Sequence, residues 1–66
     1  MDVKFPDIEV ELSDQDGNAF AIIGRVRKAM RRNGCTDEQI EEFTNECKES
    51  DYDHLLRVVM RTVETT

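Results

Sequence analysis

The run Asn33-Gly34-Cys35-Thr36-Asp37-Glu38-Gln39-Ile40 holds a helix stop and a helix start back to back. Gly34 accepts the left-handed conformation in which helices commonly end, so a helix arriving from upstream terminates at Asn33-Gly34. Thr36 then serves as an N-cap, Gln39 completes a capping box, and Cys35 can staple onto Ile40 across the turn. A chain that ends one helix and opens another within a few residues is organised around helices.

The periodicity on either side agrees. Upstream, Ala19, Ile22, Ile23, Val26, Ala29 and Met30 recur at helical spacing, which predicts a first helix over about 19–33 with Asn18 as its cap. Downstream, Ile40, Phe43 and Cys47 form the apolar seam of a second helix over about 37–49. Ser50 or Asp51 caps a third, over about 52–63, with Tyr52, Leu55, Leu56, Val59 and Val63 as its buried face. Ahead of the helices Ile8, Val10 and Leu12 alternate with Glu9, Glu11 and Ser13, the pattern of a strand over about 8–13 with one buried face. Val3 and Phe5 belong to another phase, and Pro6 breaks the register between the two. A lone strand leaves backbone donors unpaired. Its mate is residues 3–5 folded back, residues 63–66 added alongside, or a second copy of the chain. The expected fold is mainly α, a short N-terminal strand followed by a three-helix bundle-like domain, and all of residues 1–66 belong to one domain.

Composition bounds the rest. A chain of 66 residues buries only about 60% of its unfolded surface, so oligomerisation is a natural source of further stability. Its apolar content of 38% is regularly spaced, as in a folded globule. No apolar run approaches the ~20 residues of a membrane span. The acidic N-terminal stretch has no leader pattern, and two cysteines in such a chain are expected to be reduced thiols in a cytoplasmic setting. A net charge of −6 works against non-specific binding to nucleic acid or anionic lipid.

Chemistry-bearing patterns are few. Asp14-x-Asp16-x-Asn18 suggests a calcium loop, but the loop's glycine and its bidentate glutamate are replaced by Ala19 and Arg25. A turn running into a helix cap accounts for the same residues. Cys35 and Cys47 fit no zinc spacing, and with one histidine in the chain four ligands are not at hand. Cys47 lies on an apolar seam, and Cys35 at a helix start is read as a packing residue. His54 is expected on a solvent-facing side, without a nucleophile at a useful spacing. Gly17, Gly24 and Gly34 are isolated, so no phosphate-binding loop is present. These readings predict a non-enzyme with no catalytic residues, no metal site and no cofactor.

The charge is sorted. Acids dominate before Asn18, a basic stretch follows (Arg25, Arg27, Lys28, Arg31, Arg32), and an acidic block runs from Asp37 to Asp51. On a helical wheel the basic stretch splits into two columns, Arg27 with Arg31, and Arg25 with Lys28 and Arg32. In a helix-turn-helix reading the third helix would enter the groove, yet it carries only Arg57 and Arg61, so nucleic acid is a poor partner. Phe20 lies off the apolar stripe, in line with Gly24, Arg27 and Arg31. A glycine inside a helix costs about 1 kcal/mol and suits a place where another backbone comes close. Phe20, Gly24, Arg27 and Arg31 are therefore the candidate binding residues. Phe20 either covers the strand of its own subunit or meets a second subunit.

The segment Asp16-Gly17-Asn18-Ala19-Phe20-Ala21-Ile22-Ile23-Gly24-Arg25-Val26, followed by Asp51-Tyr52-Asp53-His54-Leu55-Leu56, resembles a group of short uncharacterised accessory proteins encoded by bacteriophages and prophages. The resemblance implies a small accessory protein in a bacterial host cytoplasm. It implies no activity and carries over no site residues.

The leading expectation is a small non-enzymatic interaction module, homo-oligomeric, that inhibits a host protein or sequesters a small anionic signal molecule. The alternative is an acidic mimic of nucleic acid, and a DNA-binding regulator ranks below both.

Overall fold

In the computed structural model of the chain, which describes residues 3–12 and 19–65, the apolar stripe of the basic stretch forms α1, Ala19–Arg32. Ile22, Ile23, Val26 and Met30 are buried along it, with Ala19 and Ala29 packed against the same core. The helix ends at Gly34, whose φ of 89° supplies the left-handed turn. Cys35 N–H reaches back to the Met30 carbonyl (3.0 Å) and Gly34 N–H to the Arg31 carbonyl (3.2 Å). This pair of bonds is the Schellman arrangement, which satisfies carbonyls that a helix end leaves open.

The capping box then forms as its residues dictate. Gln39 N–H donates to Thr36 Oγ1 at 3.1 Å, and Thr36 N–H donates to Gln39 Oε1 at 2.8 Å. It opens α2, Asp37–Cys47, with Ile40, Phe43, Thr44 and Cys47 buried. The helix stops two residues short of the expected 49, where Lys48 turns back onto the Asn45 carbonyl. Asp51 caps α3, Tyr52–Thr62, by accepting from His54 N–H at 3.0 Å. Its buried face is Leu55, Val58, Val59 and Thr62, rotated from the expected set. Tyr52 is exposed and Leu56 half-buried, whereas Thr62 goes inside because its hydroxyl bonds the Val58 carbonyl at 2.6 Å.

The strand occupies Phe5–Val10 as β1, earlier than the expected 8–13, although Ile8 and Val10 are buried as the alternation required. Leu12 follows the strand and packs on the core, while Ser13, the turn from Asp14 to Asn18 and the Asn18 cap lie outside the described residues. The mate is the C-terminal segment. Val63 leaves the helix to start β2, Val63–Thr65, which lies parallel to β1 with Phe5 opposite Val63, Glu9 opposite Glu64 and Val10 opposite Thr65. The pairing is irregular between Phe5 and Glu9, the interval that contains Pro6. Proline cannot donate to a ladder, so it is accommodated at edges and bulges. Parallel strands require a long crossover, and here the three helices provide it. The core-facing side of the sheet is Ile8, Val10 and Val63; Asp7, Glu9 and Glu64 are exposed. α2 packs against α1 and α3, while α1 lies against β1 and α3 against β2. Val26, Met30, Val59 and Val63 are fully enclosed, and burying an aliphatic side chain of this size contributes about 1.5–3 kcal/mol.

Candidate interaction surface

The two basic columns of α1 go to different neighbours. Arg31, of the first column, reaches toward α2, its guanidinium nitrogen 3.4 Å from Asp37 Oδ1. Arg27 in the same column is half-buried. The second column, Arg25, Lys28 and Arg32, faces β1. Arg25 donates to the Glu11 carbonyl at 2.8 Å, and the three cations line a groove of about 200 Å³ with Glu9, Val10 and Glu11 on its other wall. A wider groove, of about 540 Å³, lies along Lys4–Ile8 and the α1–α2 turn at Asn33, Gly34 and Cys35. Neither groove is lined by β2 or α3, so both lie on the outer side of β1. Among the described residues Lys28 and Arg32 form no ion pair.

The sorted charges therefore meet only sparsely. Besides Arg31–Asp37, the ion contacts among the described residues are Lys4–Glu42 at 3.2 Å and His54–Glu49 at 3.9 Å. Exposed pairs of this kind add little stability, and the basic stretch and acidic block are largely separate solvated faces.

Phe20 and Gly24 lie on the outer side of α1. Phe20 is 78% exposed, which excludes the reading in which it covers the strand of its own subunit. It borders a third groove of about 250 Å³ with Ile23, Cys47, Tyr52 and Leu55, between the start of α1, the end of α2 and the start of α3. A Cβ placed on Gly24 meets no atom within 4 Å, so nothing within the described chain requires glycine there. The structure thus places Phe20 beside the third groove and turns Arg31 to α2. It does not gather Phe20, Gly24, Arg27 and Arg31 into one pocket. The residues passed over by sequence reasoning are Arg25, Lys28 and Arg32. Their signal was Ala29 among them, a small residue that lets the strand approach while the longer cations flank it.

His54 departs from the expected solvent-facing position. Its ring is partly buried, and Nε2 lies 2.9 Å from the Glu46 carbonyl in the last turn of α2, an oxygen that also accepts from Glu49 N–H at 3.3 Å. The ring is thereby a structural clasp between α2 and α3. Burial, with the adjacent Glu46 carboxylate, pushes the Cys47 thiol up to about 11, which favours the inert thiol over the reactive thiolate. Among the described residues no group of three or more His, Cys, Asp or Glu could hold a metal ion, and no helix is long and apolar enough to cross a membrane. No family model, curated protein or solved structure matches this chain.

Proposed function

We propose that this chain is a non-enzymatic interaction module that holds an anionic partner on the basic column of α1 beside β1. The observation that carries this reading is the groove in which Arg25, Lys28 and Arg32 converge while Lys28 and Arg32 form no ion pair among the described residues. Cations kept out of intrachain pairs remain available for charge-assisted contacts to carboxylate or phosphate, the stronger class of hydrogen bond. The groove is open and, at about 200 Å³, smaller than the roughly 300–1,000 Å³ of small-molecule pockets. A protein segment therefore suits it better than a sequestered signal molecule. The setting in this proposal is a phage accessory protein acting on a host protein, as the sequence resemblance implies, and self-association through the exposed Phe20 at the start of α1, without close approach at Gly24, belongs to the same proposal.

The nucleic-acid mimic is the second reading, supported by the exposed carboxylates of Glu38, Glu41, Glu42 and Glu46 on α2. One titration separates the two. Isotope-labelled protein is titrated with a hexaglutamate peptide and, separately, with inorganic phosphate, while backbone and side-chain resonances are followed. The interaction module gives shifts centred on Arg25, Lys28 and Arg32 that weaken with salt and vanish in the Lys28→Gln/Arg32→Gln variant. Shifts that are absent, or that survive the double substitution, overturn it.

A further inference from the structure

The outer edge of β1 adds a feature that electrostatics alone does not use. Among the described residues β1 has a strand neighbour on one side only, and the basic column runs along its other side. An unpaired edge presents backbone donors and acceptors to any extended segment laid against it. We propose that the partner of the basic groove enters as an extended strand that pairs with the outer edge of β1, with acidic side chains at alternate positions facing α1. This rests on the reading of the groove as an anion-binding surface and specifies the conformation of what binds there.

The side-chain phase follows from the strand. Ile8 and Val10 are buried against the helices, so Glu9 projects from the opposite face of the sheet. A strand added at this edge has every second side chain on the α1 side, beside Arg25, Lys28 and Arg32, and the others on the side of Glu9. Carboxylates suit the first set; neutral or basic groups suit the second. A second copy of the chain does not meet this requirement. Antiparallel pairing of two β1 edges about a two-fold axis normal to the sheet puts both helical layers on one face. It sets the basic column of one α1 against that of the other, a like-charge juxtaposition that works against association. The edge and its cations fit a foreign acidic strand better than self-pairing. Pro6, which has no donor, confines pairing to the remainder of the strand.

The test uses the full chain and three octapeptides of alternating glutamate and threonine, titrated calorimetrically. One is unmodified, one is N-methylated on every threonine and one on every residue. Alternate N–H groups of a strand point to opposite edges, and reversing the strand exchanges them, so methylation of one set leaves one direction open to pairing with β1 while methylation of every residue closes both. Strand addition predicts that the fully methylated peptide binds at least about tenfold more weakly than the unmodified one. It also predicts that the unmodified peptide slows hydrogen exchange at β1 amides. If all three bind alike and all are weakened by Lys28→Gln/Arg32→Gln, strand addition is wrong while the basic groove stands. If none binds, both readings fall. If the free chain sediments as a dimer that the unmodified peptide splits, the edge belongs to a second copy and the foreign strand is excluded.

Discussion

Replacing Gly24 with alanine should stabilise this protein. Gly24 sits inside α1, exposed, and a Cβ built on it meets no atom within 4 Å. Glycine in a helix interior is less favourable than alanine by about 0.5–1 kcal/mol, because it loses more backbone freedom on folding. With no steric opposition within the described chain, Gly24→Ala returns that amount. For a chain this small the urea dependence is about 1 kcal/mol per molar, so the unfolding midpoint rises by about 0.5–1 M with an unchanged slope. Far-ultraviolet circular dichroism along a urea series, run at low and high protein concentration, measures it. The contrary reading gives Gly24 a purpose, close approach by a second copy of the chain. A contact of that kind stabilises the wild type by mass action, more so at high concentration, and alanine removes it. A midpoint that falls on substitution, with a gap that widens as protein concentration rises, refutes the reasoning and assigns Gly24 to a subunit contact.

Thr36→Ala removes one half of the capping box and should cost about 0.5–2 kcal/mol in the same urea assay. Arg31→Gln breaks only an exposed contact of 3.4 Å to Asp37, so its effect on stability should stay within about 1 kcal/mol; a larger loss means the pair is shielded in solution. Cys47 carries a pH dependence. Its thiol ionises near 9.0 in the ordinary state and near 11 in the fold, so the unfolded state loses the proton first. The stabilisation is complete below about pH 9 and is lost as pH rises toward 11, since stability falls wherever the folded state binds more protons. Urea midpoints of wild type and Cys47→Val should therefore converge or cross on the alkaline side, and parallel curves across that range contradict the assignment.

Local signals decided most of what the sequence revealed of this fold. The α1–α2 turn was legible because Gly34, Thr36 and Gln39 act on their own neighbours, through a left-handed residue and two reciprocal hydrogen bonds, without help from the rest of the chain. The stripe of α1 was legible because Ile22, Ile23, Val26 and Met30 leave one choice of face. α3 was harder. Valines and threonines at its C-terminal end satisfy more than one phase, and the sequence gives no sign that Thr62 can go inside by bonding the Val58 carbonyl. The strand slid toward the N-terminus because its limits are set by where β2 can reach. Phe5 is held opposite Val63 across an interval that includes Pro6, and such a non-local pairing has no local signature.

The surface was less legible still, for a reason that bears on function. The helical wheel resolved the cations of α1 into two columns, but a wheel has no neighbours and cannot say which column meets a strand. Once α1 is laid against β1, Arg31 turns to α2 and the column of Arg25, Lys28 and Arg32 falls along an edge that has no strand neighbour among the described residues. Charge and hydrogen-bonding capacity then coincide in one groove, although they come from segments on opposite sides of the Leu12–Ala19 interval. Either alone is an ordinary surface feature: exposed lysines and arginines are commonplace, and edges are often left open. In the proposed strand addition, together they would select a partner on two independent grounds, an extended backbone and carboxylates in alternate phase. A flexible acidic tail meets the second requirement without the first, and a neutral strand meets the first without the second. Discrimination between partners needs such a difference in contacts, and here the difference is set by the side of β1 on which α1 packs.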